Sequence, residues 1–480
     1  MTYGILSFGA YVPHLRLARS AILDAVGWAV PGVRGLAAGE RAVANWDEDS
    51  ITLAVEAARD CLAGVDGPVG QVSLASTTLP FADRSNSGVV ADALDLDHEV
   101  LTEDLAGSRR AATSALARAA RGHGHDTTLL VAADTRETRP GSSQEMLYGH
   151  GAAALLIGEG KPVAEFLAAA SVHEDMVDQY RATDTDFDYA LEERWVREEG
   201  YLKIVPDVVE QAAAGAGIQV GDIDHVVLHG STGVARALAK PLGIDPKRFA
   251  DPLTANCGDT GVPHPLLMLA SVLDNAGPDQ YVLVIGFGQG ADAIILRTTP
   301  ALALVRAGRG AGRALAQRRP LANYTQFLSL RNQISIDFGL RSERDNRTAL
   351  SAYYRKRRDI TAMRGGRCRE CNTLQFPRAL VCVKCGAAES QTPESLAALT
   401  GRVKSFTEDW LAYTPSPPYI YGNVEFPDGA NVMLEFTDFG AGQIKVGDPV
   451  RLVFRVKDYD TKRHFRRYFW KPAPLPVDGD

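Results

Sequence analysis

YVLVIGFGQGADAIILR, residues 281–297, joins an apolar run of strand length to a Gly-x-Gly-Ala turn and then to a second apolar run. It decides the fold because the chain contains the pattern twice. TLLVAADTR at 128–136 followed by YGHGAAALLIG at 148–158 repeats the strand, the Gly-x-Gly-Ala and the second strand. VSLASTTLP at 72–80 and VVLHGSTGV at 226–234 form another matching pair. Self-similarity on this scale is the mark of a duplicated unit. Across residues 1–299, short β-branched runs alternate with Ala-rich amphipathic stretches, the rhythm of βα units feeding a largely parallel sheet. A dinucleotide loop would need a third spaced glycine opening a helix, whereas each Gly-x-Gly-Ala here leads into a strand; tight structural turns are the reading.

Outward from this core, 480 residues predict two or three domains. The divisions fall at 1–299 (halves about 1–160 and 161–299), a helical, basic connector at 300–364 ending in YYRKRRD, and two small modules at 365–392 and 393–480. Alternating runs such as GRVKSFTEDW, NVMLEFTD and DPVRLVFRV, parted by Pro-Asp-Gly and Val-Gly-Asp turns, predict that the last module is a small all-β barrel. The balance of 45% hydrophobic and 23% charged residues is that of a globular enzyme. A net charge of -8 argues against a general nucleic-acid binder, which is usually basic. The start, MTYGILSFGAYVPHLRL, lacks the pattern of a signal peptide, and no run of about 18 apolar residues occurs, so a cytoplasmic protein with no membrane span is expected.

Four of the six cysteines form two knuckles, Cys368-x2-Cys371 and Cys382-x2-Cys385, with ten residues between them. Paired Cys-x2-Cys knuckles set four thiolates for a closed tetrahedral site, which holds zinc structurally and leaves no position for a reacting water. Spacing alone also admits iron.

These knuckles, the phrase LQFPRALVCVKCG at 374–386 and the barrel behind them make residues 365–475 resemble the zinc-ribbon/OB-fold proteins that accompany thiolase-family enzymes. Residues 1–299 resemble the archaeal type of 3-hydroxy-3-methylglutaryl-CoA synthase, and more distantly the type III ketoacyl synthases. That resemblance rests on FGAYVPHLRL (8–17), WDEDSITLAVEAARDCL (46–62), GHGAAALLIGEG (149–160), His229 at a strand end, and CGDTGVPHPLLMLASVLD (257–274). It implies the duplicated, five-layered αβαβα thiolase fold, a coenzyme A thioester as substrate and a homodimer, and leaves open whether a separate thiolase docks as a further partner. The implied activity is an acyltransferase of the condensing type, making or breaking a carbon–carbon bond beside the thioester. The resemblance carries the acid/base carboxyl to Glu48 and the carbonyl-polarising histidine to His229.

Two positions depart from the family. Its nucleophilic cysteine belongs at a helix start that here reads Leu105-Ala-Gly-Ser108-Arg-Arg-Ala-Ala-Thr113, with Ser108 in the nearest register and Gly107 beside it. Its asparagine falls on Asp259. Three readings follow. Ser108, His229 and Asp259 could form a triad for covalent acyl transfer. Acid/base groups alone would serve an aldolase or retro-aldolase acting on a β-hydroxyacyl-CoA. A domain with neither would be an inactive CoA-binding scaffold. Cys257 could replace the missing nucleophile, although a buried cysteine is more often a small hydrophobe; His150 and His264 are reserve acid/base groups.

Overall fold

The computed structural model describes residues 2–122, 127–305, 310–339 and 349–476, so parts of the 300–364 connector and the last four residues lie outside the described residues. The chain divides into two compact units, one of 1–44, 49–88 and 97–324, the other of 45–48, 89–96 and 325–480.

Nine strands build the sheet of the first unit: β1 (Thr2–Tyr11), β2 (Gln71–Ala75), β3 (Leu101–Leu105), β4 (Thr128–Asp134), β5 (Gly151–Gly160), β6 (Ala164–His173), β7 (His225–Leu228), β8 (Tyr281–Phe287) and β9 (Gly290–Thr298). Their order is β7-β8-β9-β6-β1-β5-β4-β2-β3. The halves seen as a repeat join where β1 meets β6, at Gly4 opposite Glu165 and Ile5 opposite Ala164. The expectation of a largely parallel sheet needs correcting. β2 runs parallel to β3 and β4, and β7 to β8, but both strand pairs that carry Gly-x-Gly-Ala, β4/β5 and β8/β9, are antiparallel. Gly288–Gly290 is the tight reversal between β8 and β9, whereas residues 135–150, with a short helix at Ser143–Leu147, join β4 to β5; neither Gly-x-Gly-Ala opens a helix.

Four helices complete the layers. α1 (Ser50–Leu62) lies on β1, β4 and β5, and α3 (Leu202–Ala216) on β6, β8 and β9. Between them α2 (Ala111–Arg121) touches β4 of the first half and β6, β8 and β9 of the second, while α4 (His264–Asn275) touches β1, β5, β7 and β8. This is helix, sheet, paired helices, sheet, helix. A helix enclosed on both sides must be apolar around its girth, and α4 buries nine residues in the run His264 to Leu273. α2 meets the same demand with Ala112, Ala115 and Ala117, whose small side chains allow close sheets. α1 begins where Asp49 accepts the N–H groups of Ile51 and Thr52 and Thr52 returns a bond to the Asp49 backbone, a reciprocal cap. Among the described residues no helix is long and apolar enough to cross a membrane.

In the second unit, β10 (Arg364–Cys368), β11 (Leu374–Gln375) and β12 (Gln391–Ser395) form the ribbon. β13 (Gly401–Asp409), β14 (Tyr419–Glu425), β15 (Asn431–Glu435), β16 (Pro449–Asp460) and β17 (Phe465–Pro474) form an antiparallel sheet in the order β15-β14-β13-β16-β17, consistent with an OB-fold. Phe454 anchors its core, stacked on Tyr468 at 5.5 Å and edge-on to Trp470 at 5.3 Å. Beside it lies a buried ionic cluster. Lys471 Nζ is 2.9 Å from Asp47 Oδ2 and 3.2 Å from Glu435 Oε1, and Arg455 Nη2 is 3.1 Å from Glu48 Oε1 and 2.9 Å from Asp438 Oδ2.

The glycines of the repeat mark close approaches. A Cβ on Gly286 would lie 1.9 Å from Thr113 Oγ1 on α2, and one on Gly149 would lie 1.8 Å from the Cys257 carbonyl oxygen. The second obstacle is backbone and cannot rotate away. Gly149→Ala is expected to cost at least about 1–3 kcal/mol, as overpacked cores do, read as a lower urea midpoint at unchanged slope.

Candidate active site and metal centre

β7 ends at Leu228 and delivers His229 into the first unit's interior, where Tyr201 donates a hydrogen bond to its carbonyl at 3.0 Å and is itself stacked on Phe287 at 3.9 Å. Asp259 is fixed through its backbone: its N–H bonds to Leu147 and its carbonyl accepts from Gly149. The preceding Gly258 takes φ +79, which favours glycine. His229 Nε2 lies 2.9 Å from Asp259 Oδ1 and 3.3 Å from Arg109 Nη2. The bond to the carboxylate is the shorter and charge-assisted one, so Nε2 carries the proton. Nδ1 has no hydrogen-bond partner among the described residues.

Arg109 completes the group. Its Nη2 donates to Asp259 Oδ2 at 2.9 Å, its Nη1 donates to Gln179 Oε1 at 2.8 Å and lies 3.9 Å from Asp178, and its buried Nε–H has no partner among the described residues. Burial opposes the charge on Asp259, but His229 and Arg109 outweigh it and hold the carboxyl well below the usual range. Burial likewise works against the Arg109 cation, and Asp259, Tyr148 and Asp178 more than restore it.

The structure thus brings His229 and Asp259 together. Ser108 is half-buried, and its Oγ accepts the Arg110 N–H at 3.1 Å; among the described residues it forms no hydrogen bond to His229 or Asp259. The side chain that reaches them from this helix start is Arg109, one residue on. Glu48 belongs to the other unit, where its carboxylate binds Arg455 and accepts the Asn45 N–H at 2.8 Å. Cys257 is buried, with Sγ 3.4 Å from the Leu253 carbonyl, and burial pushes its thiol up to about 12, which suits a small hydrophobe. His150 accepts the Ala44 N–H on Nδ1 at 2.8 Å and lies 3.2 Å from the Arg136 carbonyl on Nε2, so both its nitrogens are occupied. His264 is similarly tied, with Nδ1 accepting the Thr260 N–H at 3.1 Å and Nε2 2.7 Å from the Pro252 carbonyl. Sequence reasoning missed Arg109. The signal was two arginines opening an otherwise Ala-rich helix, cations set against the helix dipole.

In the second unit the sulfur atoms of Cys368, Cys371, Cys382 and Cys385 all lie within 4.8 Å of one another. The pairs Cys368–Cys385 and Cys371–Cys382 are 3.7 and 3.6 Å apart. A tetrahedron with Zn–S bonds of about 2.3 Å has edges of about 3.8 Å, so the cage fits zinc without rearrangement.

Comparison with known proteins agrees with this geometry. Residues 213–297 match the model of the 3-oxoacyl-[acyl-carrier-protein] synthase III C terminal, 363–390 that of the ChsH2 rubredoxin-like zinc ribbon domain, and 395–455 that of the ChsH2 C-terminal OB-fold domain. Two solved structures share the fold: 3-oxoacyl-(acyl carrier protein) synthase III from Pseudomonas aeruginosa (TM-score 0.55, 22% identity, 62% of this chain and 99% of that one) and PksG, an HMG-CoA synthase from Bacillus subtilis (TM-score 0.60, 18% identity, 69% and 89%). What these two structures share with the chain is the thiolase-like fold. Hydroxymethylglutaryl-CoA synthases from Archaeoglobus fulgidus and Aeropyrum pernix are each 31% identical, over 62% of this chain and 90% of the relative, and over 70% and 92%, respectively. The chain belongs to the hydroxymethylglutaryl-CoA synthase family and carries, in addition, a zinc ribbon and an OB-fold.

Two outcomes follow. Metal analysis should find about one zinc per chain, and Cys371→Ser should lose it and unfold the ribbon, since structural zinc supplies folding energy; limited proteolysis should then cut within 363–395 first. The second concerns His264, which burial, with a smaller effect from His229, pushes down to about 4. Between an unfolded value of about 6.5 and that folded value, only the unfolded chain takes up the proton, so stability falls as pH falls. From pH 7 to pH 5 this group should account for about 2 kcal/mol of lost stability. His264→Gln should flatten that part of the curve in urea titrations.

Proposed function

We propose that this protein makes or breaks a carbon–carbon bond beside the thioester of an acyl-CoA of the 3-hydroxy-3-methylglutaryl type, and does so without an acyl-enzyme. The observation that carries the reading is the Arg109–Asp259–His229 cluster at the place where the family resemblance puts a nucleophile. Asp259 holds His229 with Nε2 protonated, which leaves the Nδ1 lone pair to take a proton from the substrate and return it. The Arg109 Nε–H, buried and without a partner among the described residues, is a donor for the oxygen on which negative charge develops. A fixed cation beside that oxygen favours an enolate or alkoxide, the species that aldol-type formation and cleavage share. Ser108 has no place in this scheme. Glu48 enters it as a proton-transfer group by resemblance alone. The same resemblance supports a homodimer, and the signal-free start of the sequence supports a cytoplasmic location; whether a separate thiolase docks stays open.

Arg109→Ala should lower kcat by about a hundredfold or more, the usual loss for a removed oxyanion donor, and His229→Ala should do at least as much. Ser108→Ala should stay within a few-fold of the parent, and radiolabelled acyl-CoA should turn over without leaving label on the protein. A trapped acyl-serine, together with an inactive Ser108→Ala variant, would replace this scheme with the Ser108–His229–Asp259 triad. A protein that neither turns over nor is labelled would be the scaffold.

A further inference from the structure

The basic run at the end of the connector has no part in the chemistry above. In the second unit it folds into two short helices, Leu350–Arg355 and Arg357–Thr361, which touch each other, the second also lying against the first ribbon strand. There Arg355, Lys356, Arg357, Arg358, Arg364 and Arg378 line a cavity of about 250 Å³ with only one carboxylate, Asp359, in its wall. On a chain whose net charge is -8, six cations around one concavity are not average composition. Three of them are already engaged: Lys356 lies 3.6 Å from Asp359, Arg364 is paired with Asp95, and Arg357 sits over the Tyr354 ring at 4.6 Å. Arg355, Arg358 and Arg378 form no ion pair among the described residues.

We infer that this cavity binds a phosphoryl-bearing anion with two or more negative charges. Guanidinium forks match phosphate oxygens in pairs, and arginines crowded without carboxylates repel one another until an anion arrives. The volume is below the roughly 300–1,000 Å³ typical of pockets that enclose a drug-sized ligand, so it suits phosphoryl groups and leaves the rest of any larger molecule outside. A nucleotide with two phosphates and a free polyphosphate offer the same chemistry. The inference does not rest on the roles assigned to Arg109 and His229.

Calorimetry on the full-length chain at about 50 mM ionic strength, where screening is weak, tests it with inorganic pyrophosphate and with adenosine 3′,5′-bisphosphate. At least one should bind with one equivalent per chain lost on substitution, and Arg358→Ser/Arg378→Ser should weaken that binding at least tenfold while the chain keeps its zinc. If the double variant loses its metal, Arg355→Ser on the exposed helix takes its place, with a threefold or greater loss expected. Tighter binding of the bisphosphate identifies a nucleotide ligand, and tighter binding of pyrophosphate identifies a free polyphosphate. Binding of neither anion, or binding that the substitutions leave unchanged, overturns the inference.

Discussion

Two helices held between sheet layers set the terms for the first unit: His264–Asn275 is buried along nearly its whole length, and Ala111–Arg121 is exposed only at Arg118 and Arg121. Ala111–Arg121 and His264–Asn275 lie between the two halves of the sheet, each touching strands of both. A helix so enclosed can spend little surface on polar groups, and its unpaired N–H groups must be dealt with where it starts. Chemistry is therefore pushed to those starts. Arg109 precedes the first helix, and Asp259 and His264 precede or open the second. The cation at one start is balanced by the carboxylate at the other, 2.9 Å away. Because the halves are duplicates, both starts arrive at one place, and the strand end bearing His229 arrives with them.

Asp259 shows why such a cluster can be both stable and reactive. Its two oxygens are divided among the His229 ring, the Arg109 guanidinium and the Gly261 N–H at 2.8 Å. A half-buried carboxylate satisfied in this way stays ionised, and it fixes the tautomer of the histidine it holds. His264, only 4.9 Å from His229 ring to ring, is kept neutral by its burial and, to a smaller extent, by His229. Both nitrogens of His264 are held, Nδ1 by the Thr260 N–H and Nε2 by the Pro252 carbonyl, which suits a structural group.

Much of this was legible in the sequence. The repeat at 128–158 and 281–297 is the duplicated sheet, and its glycines are where strands and loops touch backbone or helix. The four cysteines are the cage, because thiolate spacing along the chain maps directly onto tetrahedral geometry. His229 and Asp259 could be placed because each sits in a short, recognisable turn. The helix start between them could not be placed to the residue. Counting along Leu105-Ala-Gly-Ser-Arg-Arg fixes a register only to within one position, and one position on a helix is a rotation of about 100°, enough to swap a serine for an arginine. The acidic triplet 47–49 was harder still, since three adjacent carboxyls divide into a helix cap at Asp49 and two members of an ionic cluster whose counter-ions lie at the far end of the chain. No local pattern announces a partner over 400 residues away.

That distance has a consequence for how the protein comes to be made. Lys471 meets Asp47 across 424 positions, and Arg455 meets Glu48 in the same cluster. A ribosome adding roughly 5–20 residues each second leaves these two carboxylates without their cations for something like half a minute. The second unit is therefore the last part of the nascent chain to become whole, and the segment at 45–48 waits, solvated, until residues 325–480 have been made. A gene cut to encode 325–480 alone would yield a barrel with Arg455 and Lys471 short of their acidic partners. In synthesis, residues 45–48 and 325–480 belong to one unit whose early piece waits for its late one.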